Sequence, residues 1–246
     1  MADSRTLAIG DIHGAYKALL QVIEKASVTE ADTIIFLGDY VDGWSESPQV
    51  LNFLIELSSR HHCIFLKGNH DELFLDWLIN GIENRSWLKH GGVATIKAYQ
   101  AVAEPEKKKH IHFIEQLVDY YKDDSNRLFL HAGFTHIKGI DYEYFPRAFY
   151  WDRSLWETAL ALNPALDEED PRYPSRLKIY REIFIGHTPT VRLGSSKPIN
   201  AANVWNLDTG AAFDGQLTIM DVNSKEYWQS DQVETLYPDE SARTMF

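Results

Sequence analysis

The chain has 246 residues, of which 44% are hydrophobic and 24% are charged, and its formal net charge is −12. This composition is typical of a globular protein and excludes a disordered chain. The acidic excess disfavours nucleic acid and anionic lipid as partners, the single Cys63 excludes a disulfide within the chain, and no apolar run approaches the roughly 18 residues of a membrane span. We therefore expect a cytoplasmic protein with no membrane and no nucleic-acid partner.

The first seventy residues repeat a strand-then-helix pattern. Short apolar runs at 6–9, 33–37 and 63–66 predict strands, and a glycine follows each of them closely. Apolar residues at helical spacing over 15–26, and a Ser-Pro pair at Ser47, predict helices between the strands. This alternation is typical of βαβ units with a largely parallel sheet.

The rest of the chain is predicted to be helical first and then rich in strands. Residues 71–122 fit a helical pattern, with breaks at Gly81, at the Gly91-Gly92 pair and at Pro105. Further strands are predicted at 127–130, 182–185, 203–207 and 216–222.

The whole chain is predicted to form one α/β domain over 1–246, with helical insertions near 72–125 and 140–180. No low-complexity linker or change in composition divides it. The segment after Asp231 is predicted to be loosely held, as chain ends often are.

Polar residues follow almost every predicted strand, with glycines beside them. These segments are Gly10-Asp11-Ile12-His13-Gly14, Gly38-Asp39-Tyr40-Val41-Asp42-Gly43, Gly68-Asn69-His70-Asp71, His131-Ala132-Gly133, Gly186-His187-Thr188 and Asp208-Thr209-Gly210. Ligand sites of open α/β sheets lie beyond the carboxyl ends of the strands, so we expect these segments to converge.

The residue types in these segments predict a metal site. Asp11 and His13 are two residues apart, so an extended backbone points both side chains the same way. A carboxylate with an imidazole suits Mn²⁺, Fe or Zn²⁺ better than Ca²⁺. Asp39 has two oxygens that can bridge two ions. The candidate ligands are Asp11, His13, Asp39, Asn69, His131 and His187.

Each motif alone has an ordinary interpretation. Asp-x-His pairs are common, and Asn69 with Asp71 could cap a helix that starts at Glu72. Five of the segments carry candidate ligands, and their occurrence in succession, each directly after an apolar strand, favours the metal site instead.

This ordered set resembles the calcineurin-like metallophosphoesterases, and most closely their phosphoprotein phosphatase branch. That branch includes serine/threonine phosphatases and symmetrical diadenosine tetraphosphatases. The matching motifs run from Gly10 to Ala211. The resemblance implies an α/β fold, an αββα sandwich of two mixed sheets flanked by helices, with a dimetal site at the carboxyl ends of the strands.

Carried over by position, the resemblance implies a role for each motif. Asp11 and His13 match ligands of the first ion, Asp39 the bridging carboxylate, and Asn69, His131 and His187 ligands of the second. The ions would be two divalent metals, with Mn²⁺ the leading candidate and Fe, Zn²⁺ or Ni²⁺ the alternatives.

Three further residues, together with Asn69, match catalytic or substrate-binding positions. His70 matches the residue beside the leaving group and Asp42 the carboxylate that orients it. Arg153, in Trp151-Asp152-Arg153, matches a phosphate-binding arginine, and Asn69 would also contact substrate. Trp87 followed by Gly91-Gly92 resembles a segment common in bacterial members.

Two departures from the family pattern concern substrate binding. The family usually has an arginine directly after its second aspartate, where this chain has Gly43 and Trp44. Phosphate binding is therefore expected to depend more heavily on Arg153. The eukaryotic protein phosphatases also tend to have glutamate where this chain has Asp71.

The resulting hypothesis is hydrolysis of phosphomonoesters, with phosphoserine and phosphothreonine proteins as the leading substrates. A hydroxide bridging the two metals would attack phosphorus in line while His70 protonates the leaving oxygen. A dinucleoside polyphosphatase is the alternative, and the aromatic cluster around Trp151 could then stack a base. A scaffold that has lost catalysis is disfavoured because every ligand position is retained. A nuclease is disfavoured because no basic stripe is present.

Overall fold

The computed structural model describes residues 4–243. Its strands are β1 (Thr6–Ile9), β2 (Thr33–Phe36), β3 (His62–Phe65), β4 (Tyr120–Lys122), β5 (Arg127–Leu130), β6 (Glu182–Ile185), β7 (Ile199–Ala201), β8 (Val204–Asn206), β9 (Thr218–Asp221) and β10 (Tyr227–Gln229). Its helices are α1 (Tyr16–Lys25), α2 (Ser47–Leu57), α3 (Asn69–Asn80), α4 (Arg85–Trp87), α5 (Val93–Tyr99), α6 (Glu104–Glu115), α7 (Ala148–Trp151), α8 (Ser154–Ala161) and α9 (Val233–Leu236).

The strands form two five-stranded mixed sheets. The first has the order β10-β9-β1-β2-β3 and the second the order β4-β5-β6-β8-β7. In the first sheet β1, β2 and β3 are parallel, and β9 and β10 are antiparallel to their neighbours. In the second, β5, β6 and β8 are parallel, whereas β4 and β7 are antiparallel edge strands. Each sheet therefore has three adjacent parallel strands whose carboxyl ends point the same way, β1, β2 and the edge strand β3 in the first and the central β5, β6 and β8 in the second.

Three clusters of buried apolar side chains divide the molecule into four layers. One cluster lies between the sheets and includes Ile35 from the first and Phe184 from the second. Another packs helices α1 and α2 against the outer face of the first sheet, through residues such as Leu19 and Leu54. The third packs α8 against the outer face of the second sheet, through residues such as Trp156. This helix–sheet–sheet–helix arrangement confirms the predicted fold class.

The central strands lie where the apolar runs predict them, but three edge strands were missed. β4 falls at the end of the stretch predicted as helical, and β7 and β10 were not predicted at all. Each of the three has only three residues, and side chains such as Tyr120 and Trp228 are only partly covered. Such short strands carry no buried apolar run for a sequence pattern to detect.

Helix boundaries in the predicted helical region follow glycine and proline. Helix α3 ends at Gly81, which adopts the left-handed conformation with φ 67°. Pro105 is the second residue of α6 and does not interrupt the helix, because an N–H in the first turn would have no intrahelical partner. Helix α3 begins at Asn69. It therefore starts three residues earlier than the helix from Glu72 that Asn69 and Asp71 were considered to cap.

The prediction that the segment after Asp231 is loosely held is wrong as far as Arg243. Val233 and Tyr237 are buried, and the Tyr237 ring stacks on that of Trp44 at 5.0 Å between centroids. Apolar burial holds this segment against the helices that cover the first sheet. Helix α9 has only four residues, so its sequence shows no apolar pattern from which this packing could be predicted.

Among residues 4–243, no helix is both long enough and apolar enough to cross a membrane.

Candidate metal centre

All six candidate ligands lie just beyond the carboxyl ends of parallel strands. Asp11 and His13 follow β1, Asp39 follows β2 and Asn69 follows β3. From the second sheet, His131 follows β5 and His187 follows β6. The fold thus brings side chains that are up to 176 residues apart in sequence to one edge shared by both sheets.

Four residues at this edge adopt positive φ angles, which are costly for any residue with a Cβ. The angles are 52° at His13, 53° at Asp39, 72° at Asp42 and 67° at His187. Non-glycine residues in this region cost on the order of 1–3 kcal/mol each and concentrate at functional sites. The sharp turns that this conformation allows place successive polar side chains on the same side of the loop.

Two glycines make room for the carboxylates of the site. A Cβ on Gly68 would lie 2.1 Å from Asp39 Oδ1, and one on Gly186 would lie 2.0 Å from Asp11 Oδ1. Both contacts are far inside van der Waals distance, so any larger residue at either position would displace a candidate ligand.

The first group of candidate ligands centres on His13. Its Nε2 lies 3.5 Å from Asp39 Oδ2 and 3.8 Å from Asp11 Oδ2. Its Nδ1 lies 3.1 Å from the carbonyl oxygen of Val41, which as an acceptor places the proton on Nδ1. Nε2 therefore has a free lone pair directed at the two carboxylates, the tautomer that a metal ligand needs.

The second group shares Asp39 with the first. His131 Nε2 lies 3.4 Å from Asp39 Oδ2, and Asn69 Oδ1 lies 3.2 Å from His131 Nε2 and 2.9 Å from His187 Nδ1. His131 Nδ1 lies 2.8 Å from the carbonyl oxygen of Leu37, so its proton also lies on Nδ1. Asp39 belongs to two sets of donor atoms, and within each set the atoms lie within 4.8 Å of one another. One set contains Asp39, His13 and His70, and the other contains Asp39, His131 and His187.

The electrostatics of the cluster suit divalent cations. Burial, reinforced by the charge of Asp208, raises the pKa of Asp11 well above its usual value. Burial likewise raises the pKa of Asp208 to about 6. Burial lowers the pKa of His13 and of His187, so both imidazoles are neutral at pH 7. His131 differs from them: burial lowers its pKa, but the charges of Asp39 and Asp11 outweigh this and raise it to about 10. A cation bound here would take the place of that proton and would stabilise the buried carboxylates.

One buried ring atom is consistent with this fit. His187 Nε2 is buried and has no hydrogen-bond partner among residues 4–243. Buried polar atoms are almost always satisfied, so an unpartnered nitrogen on the ring of a candidate ligand is consistent with a ligand site.

Asp71 holds the loop that carries Asp39, a role that its sequence motif did not reveal. The Asp71 carboxylate accepts backbone hydrogen bonds from Asp39 at 2.9 Å, from Tyr40 at 2.9 Å and from Gly68 at 2.8 Å. It therefore joins the loops after β2 and β3, and it fixes Asp39 in its strained conformation.

His70 and Asp42 form a buried pair at the edge of the cluster, as the resemblance implied. His70 Nδ1 lies 2.7 Å from Asp42 Oδ2. The same carboxylate accepts hydrogen bonds from Trp87 Nε1 and, at 2.6 Å, from Thr95 Oγ1. Trp87 belongs to the Trp–Gly–Gly segment singled out in the sequence, and the geometry gives it a positioning role for Asp42.

Arg153 lies at the rim of the site, together with two arginines that the sequence analysis missed. Arg153, Arg192 and Arg243 all line both the inner cavity at the candidate ligands and an adjoining outer cleft of about 250 Å³. None of the three pairs with a carboxylate within 4.0 Å in the described part of the chain. Three unpaired cations above a cluster of donor atoms can bind an anion.

The sequence analysis named the segment that begins at Asp208 but gave it no role, whereas it did not identify Arg192 or Arg243 at all. Asp208 follows β8 and lines the inner cavity, so the rule that located the other segments applied to it as well. Arg192 lies in a 3₁₀ turn and Arg243 near the end of the chain. Neither stands beside a strand end or within a recognisable motif.

Comparison with known proteins gives concordant results. The model of the family described as calcineurin-like phosphoesterase matches residues 4–211. An asymmetrical bis(5′-nucleosyl)-tetraphosphatase of Geobacillus thermodenitrificans (strain NG80-2) is 28% identical over 229 residues, which cover 86% of this chain and 88% of that protein. Serine/threonine-protein phosphatase 1 of Salmonella typhimurium is 26% identical over 215 residues, which cover 86% of this chain and 88% of that protein.

Solved structures share the fold. A crystal structure described as a candidate diadenosine tetraphosphatase superposes with a TM-score of 0.62 at 18% identity, covering 93% of each chain. At that identity the likeness shows the fold alone. The two sequence relatives carry different activities in their names, and their identities to this chain are nearly equal.

Proposed function

The chain belongs to the calcineurin-like phosphoesterase family and is a metal-dependent phosphoester hydrolase, and from this premise we propose that it hydrolyses phosphomonoesters, with phosphoserine and phosphothreonine in proteins as its substrates. The finer substrate assignment is supported by the geometry around His70 and by the likeness to a serine/threonine-protein phosphatase.

Two divalent metal ions are proposed to bind at Asp39, which both groups of donor atoms share. Mn²⁺ is the proposed metal, with Fe, Zn²⁺ or Ni²⁺ as alternatives. When bound, such ions lower the pKa of a water molecule and neutralise charge on the phosphoryl oxygens. The proposed ligands are Asp11, His13, Asp39, Asn69, His131 and His187.

The remaining roles belong to side chains that line the cavity. Asn69 and Arg153 are proposed to bind phosphoryl oxygens and hold phosphorus for in-line attack by water. His70 donates a proton to the leaving oxygen, and Asp42 holds its ring in the orientation that transfer needs. The reaction forms a bond from water oxygen to phosphorus and breaks the bond from phosphorus to the ester oxygen.

The observation that carries the phosphomonoester proposal is the buried His70–Asp42 pair. An alkoxide such as that of serine or threonine is a poor leaving group and needs a proton as the ester bond breaks. A phosphoanhydride releases a phosphate anion, which leaves readily without one. A histidine held at 2.7 Å by a fully buried carboxylate is therefore of most use with alkyl esters.

A dinucleoside polyphosphatase is the second candidate, and the arginine rim favours it. Arg153, Arg192 and Arg243 offer more positive charge than one phosphoryl group requires. Trp151, whose side chain is exposed, lines the same outer cleft and could stack a base. The likeness to the asymmetrical bis(5′-nucleosyl)-tetraphosphatase supports this candidate as well.

A matched comparison of kcat/KM with Mn²⁺ present tests the two candidates. The substrates are a phosphothreonine peptide and diadenosine tetraphosphate, each assayed with the wild-type chain and with Asp39→Asn as a control for contaminating hydrolases. We expect the peptide to be preferred. A preference for the dinucleotide would replace the first proposal by the second, and hydrolysis that survives in Asp39→Asn would show that neither activity belongs to this site.

A further inference from the structure

The C-terminal segment that includes Glu240 and Arg243 is fixed to the loop that follows Asp42. Glu240 accepts hydrogen bonds from the backbone N–H of Ser45 at 3.0 Å and from the Ser45 hydroxyl at 2.6 Å. Tyr237 stacks on Trp44, and the backbone N–H of Arg243 donates to the carbonyl oxygen of Ala212 at 3.1 Å. These contacts anchor the segment on both sides of the site, so the position of Arg243 is set by the fold.

The Arg243 side chain lies beside Gly43. Gly43 has φ 103°, and a Cβ built on it would lie 3.7 Å from Arg243 Cδ. The Arg243 guanidinium packs over the Phe213 ring at 5.2 Å, which keeps the side chain extended toward the cavity. Arg243 Nη1 comes within 3.5 Å of His70 Nε2, the atom proposed to face the leaving group.

The guanidinium is charged and has no anionic partner. It forms no ion pair within 4.0 Å in the described chain, although it is partly buried. Two other arginines with covered side chains do have anionic partners: Arg5 pairs with Asp32 at 2.7 Å and Arg127 with Asp123 at 2.6 Å. A guanidinium that is unpaired and held in place at the entrance of a phosphoesterase site is available to bind an anionic substrate.

We propose that Arg243, supplied by the C-terminal segment, is a substrate-binding residue that grips the phosphoryl group at the metal centre. Its side chain lies beside Gly43, and the anchoring of Glu240 and Tyr237 provides the orientation. The chain thus supplies from its end the positive charge that its loop after Asp42 does not carry. This inference rests on the proposed function in one respect, because it takes the bound group to be a phosphate.

The test uses inorganic phosphate as the probe, on protein loaded with Mn²⁺. Isothermal titration calorimetry compares the wild-type chain with Arg243→Ala and Arg243→Lys. Arg172→Ala is the matched control, because Arg172 is an exposed arginine paired with Asp170. Arg243→Ala is expected to bind phosphate about 10- to 100-fold more weakly, the usual worth of a hydrogen-bonded charge. Arg243→Lys should recover part of that affinity, and Arg172→Ala should match the wild type.

Two additional readouts separate substrate binding from a structural role. The amount of bound Mn²⁺, measured by elemental analysis, should be the same in all variants. Guanidinium ion added at millimolar concentration should restore part of the activity of Arg243→Ala on an aryl phosphate. Equal phosphate affinity in Arg243→Ala and the wild type would overturn the proposal, and so would loss of metal from that variant. If the wild-type chain binds phosphate through Arg243 but hydrolyses no phosphate ester, the proposed function fails and this inference stands.

Discussion

The Asp42 carboxylate is completely buried and holds one face of the candidate active site in place. Its two oxygens receive hydrogen bonds from His70, Trp87 and Thr95. Because a carboxylate only accepts, His70 Nδ1 carries the proton in this pair, and Nε2 is directed toward the cavity. Asp42 also adopts a φ of 72°, so part of its conformational strain is offset by these three bonds.

At the residue scale, His70→Ala is expected to lower kcat by about 10²–10⁴-fold on alkyl phosphates, the usual contribution of general acid catalysis. The loss should be much smaller on an activated aryl phosphate, because that leaving group departs without a proton. The measurement is kcat across a series of esters with leaving groups of different pKa. The exposed His112, on helix α6, gives the control variant His112→Ala, which should behave as the wild type. An equal loss on alkyl and aryl esters would contradict the proton-donor role.

At the scale of elements, the residues directly before strands β1 and β2 are joined by a partly buried ion pair. Arg5 Nη2 lies 2.7 Å from Asp32 Oδ2, and Arg5 Nε lies 3.1 Å from Asp32 Oδ1. The backbone N–H of Thr29 also donates to Asp32 at 2.9 Å. Burial alone would raise the pKa of Asp32, but these donors outweigh it and hold the pKa at about 2, against 3.8 for a free aspartate.

This depressed pKa predicts a stability term that acid removes. The folded state binds the Asp32 proton more weakly than the unfolded state, so the term is fully present above pH 4 to 5 and is lost as the pH falls toward 2. It amounts to about 2 kcal/mol in the free energy of unfolding. Urea unfolding of the wild type and Asp32→Asn between pH 7 and pH 3 measures it, and the difference between the two should shrink as the pH falls.

Asp231 supplies the control for this comparison. It pairs with Lys25 at 3.1 Å, but its side chain is 58% exposed, so Asp231→Asn should change the stability little at any pH. If the difference between Asp32→Asn and the wild type stayed constant down to pH 3, ionised Asp32 would not be the source of the stability.

The sequence predicts the buried strands and the polar residues that follow them, but not the short strands at the sheet edges. Strand β2 is an apolar run closed by a glycine, and Asp39 follows it, so both the strand and the candidate ligand could be predicted. Strand β10 pairs at a sheet edge and has no comparable run. Its existence depends on contacts with β9, which no local pattern encodes.

At the scale of the whole molecule, the metal ligands could be predicted and the arginine rim could not. The ligands occupy one topological position, the carboxyl end of a parallel strand, which makes them recognisable in series. Arg243 reaches the site because α9 and Tyr237 fold back onto the loop after β2, some 190 residues earlier in the chain. Such a contact depends on tertiary packing alone. The division of the chain into one domain with two insertions stays a prediction.

Metal binding should stabilise the entire molecule, since the proposed ligands come from both sheets. Buried carboxylates that repel one another, such as Asp11 and Asp208, oppose folding until a cation neutralises them. A metal at 100 times its dissociation constant adds about 2.7 kcal/mol to the free energy of unfolding. For a chain of this size that corresponds to an increase in Tm of about 5–10 °C.

Thermal unfolding with Mn²⁺ and with excess EDTA measures this increase, and Asp39→Asn assigns it. Asp39 is the residue that the two groups of donor atoms share, so replacing its charge should abolish most of the Mn²⁺-dependent rise in Tm as well as the hydrolysis. Asp231→Asn removes an equal charge from the exposed surface and should keep the full rise. An undiminished rise in the Tm of Asp39→Asn would show that the metal binds elsewhere. Among the described residues, Asp39 is the only one that belongs to both sets of donor atoms.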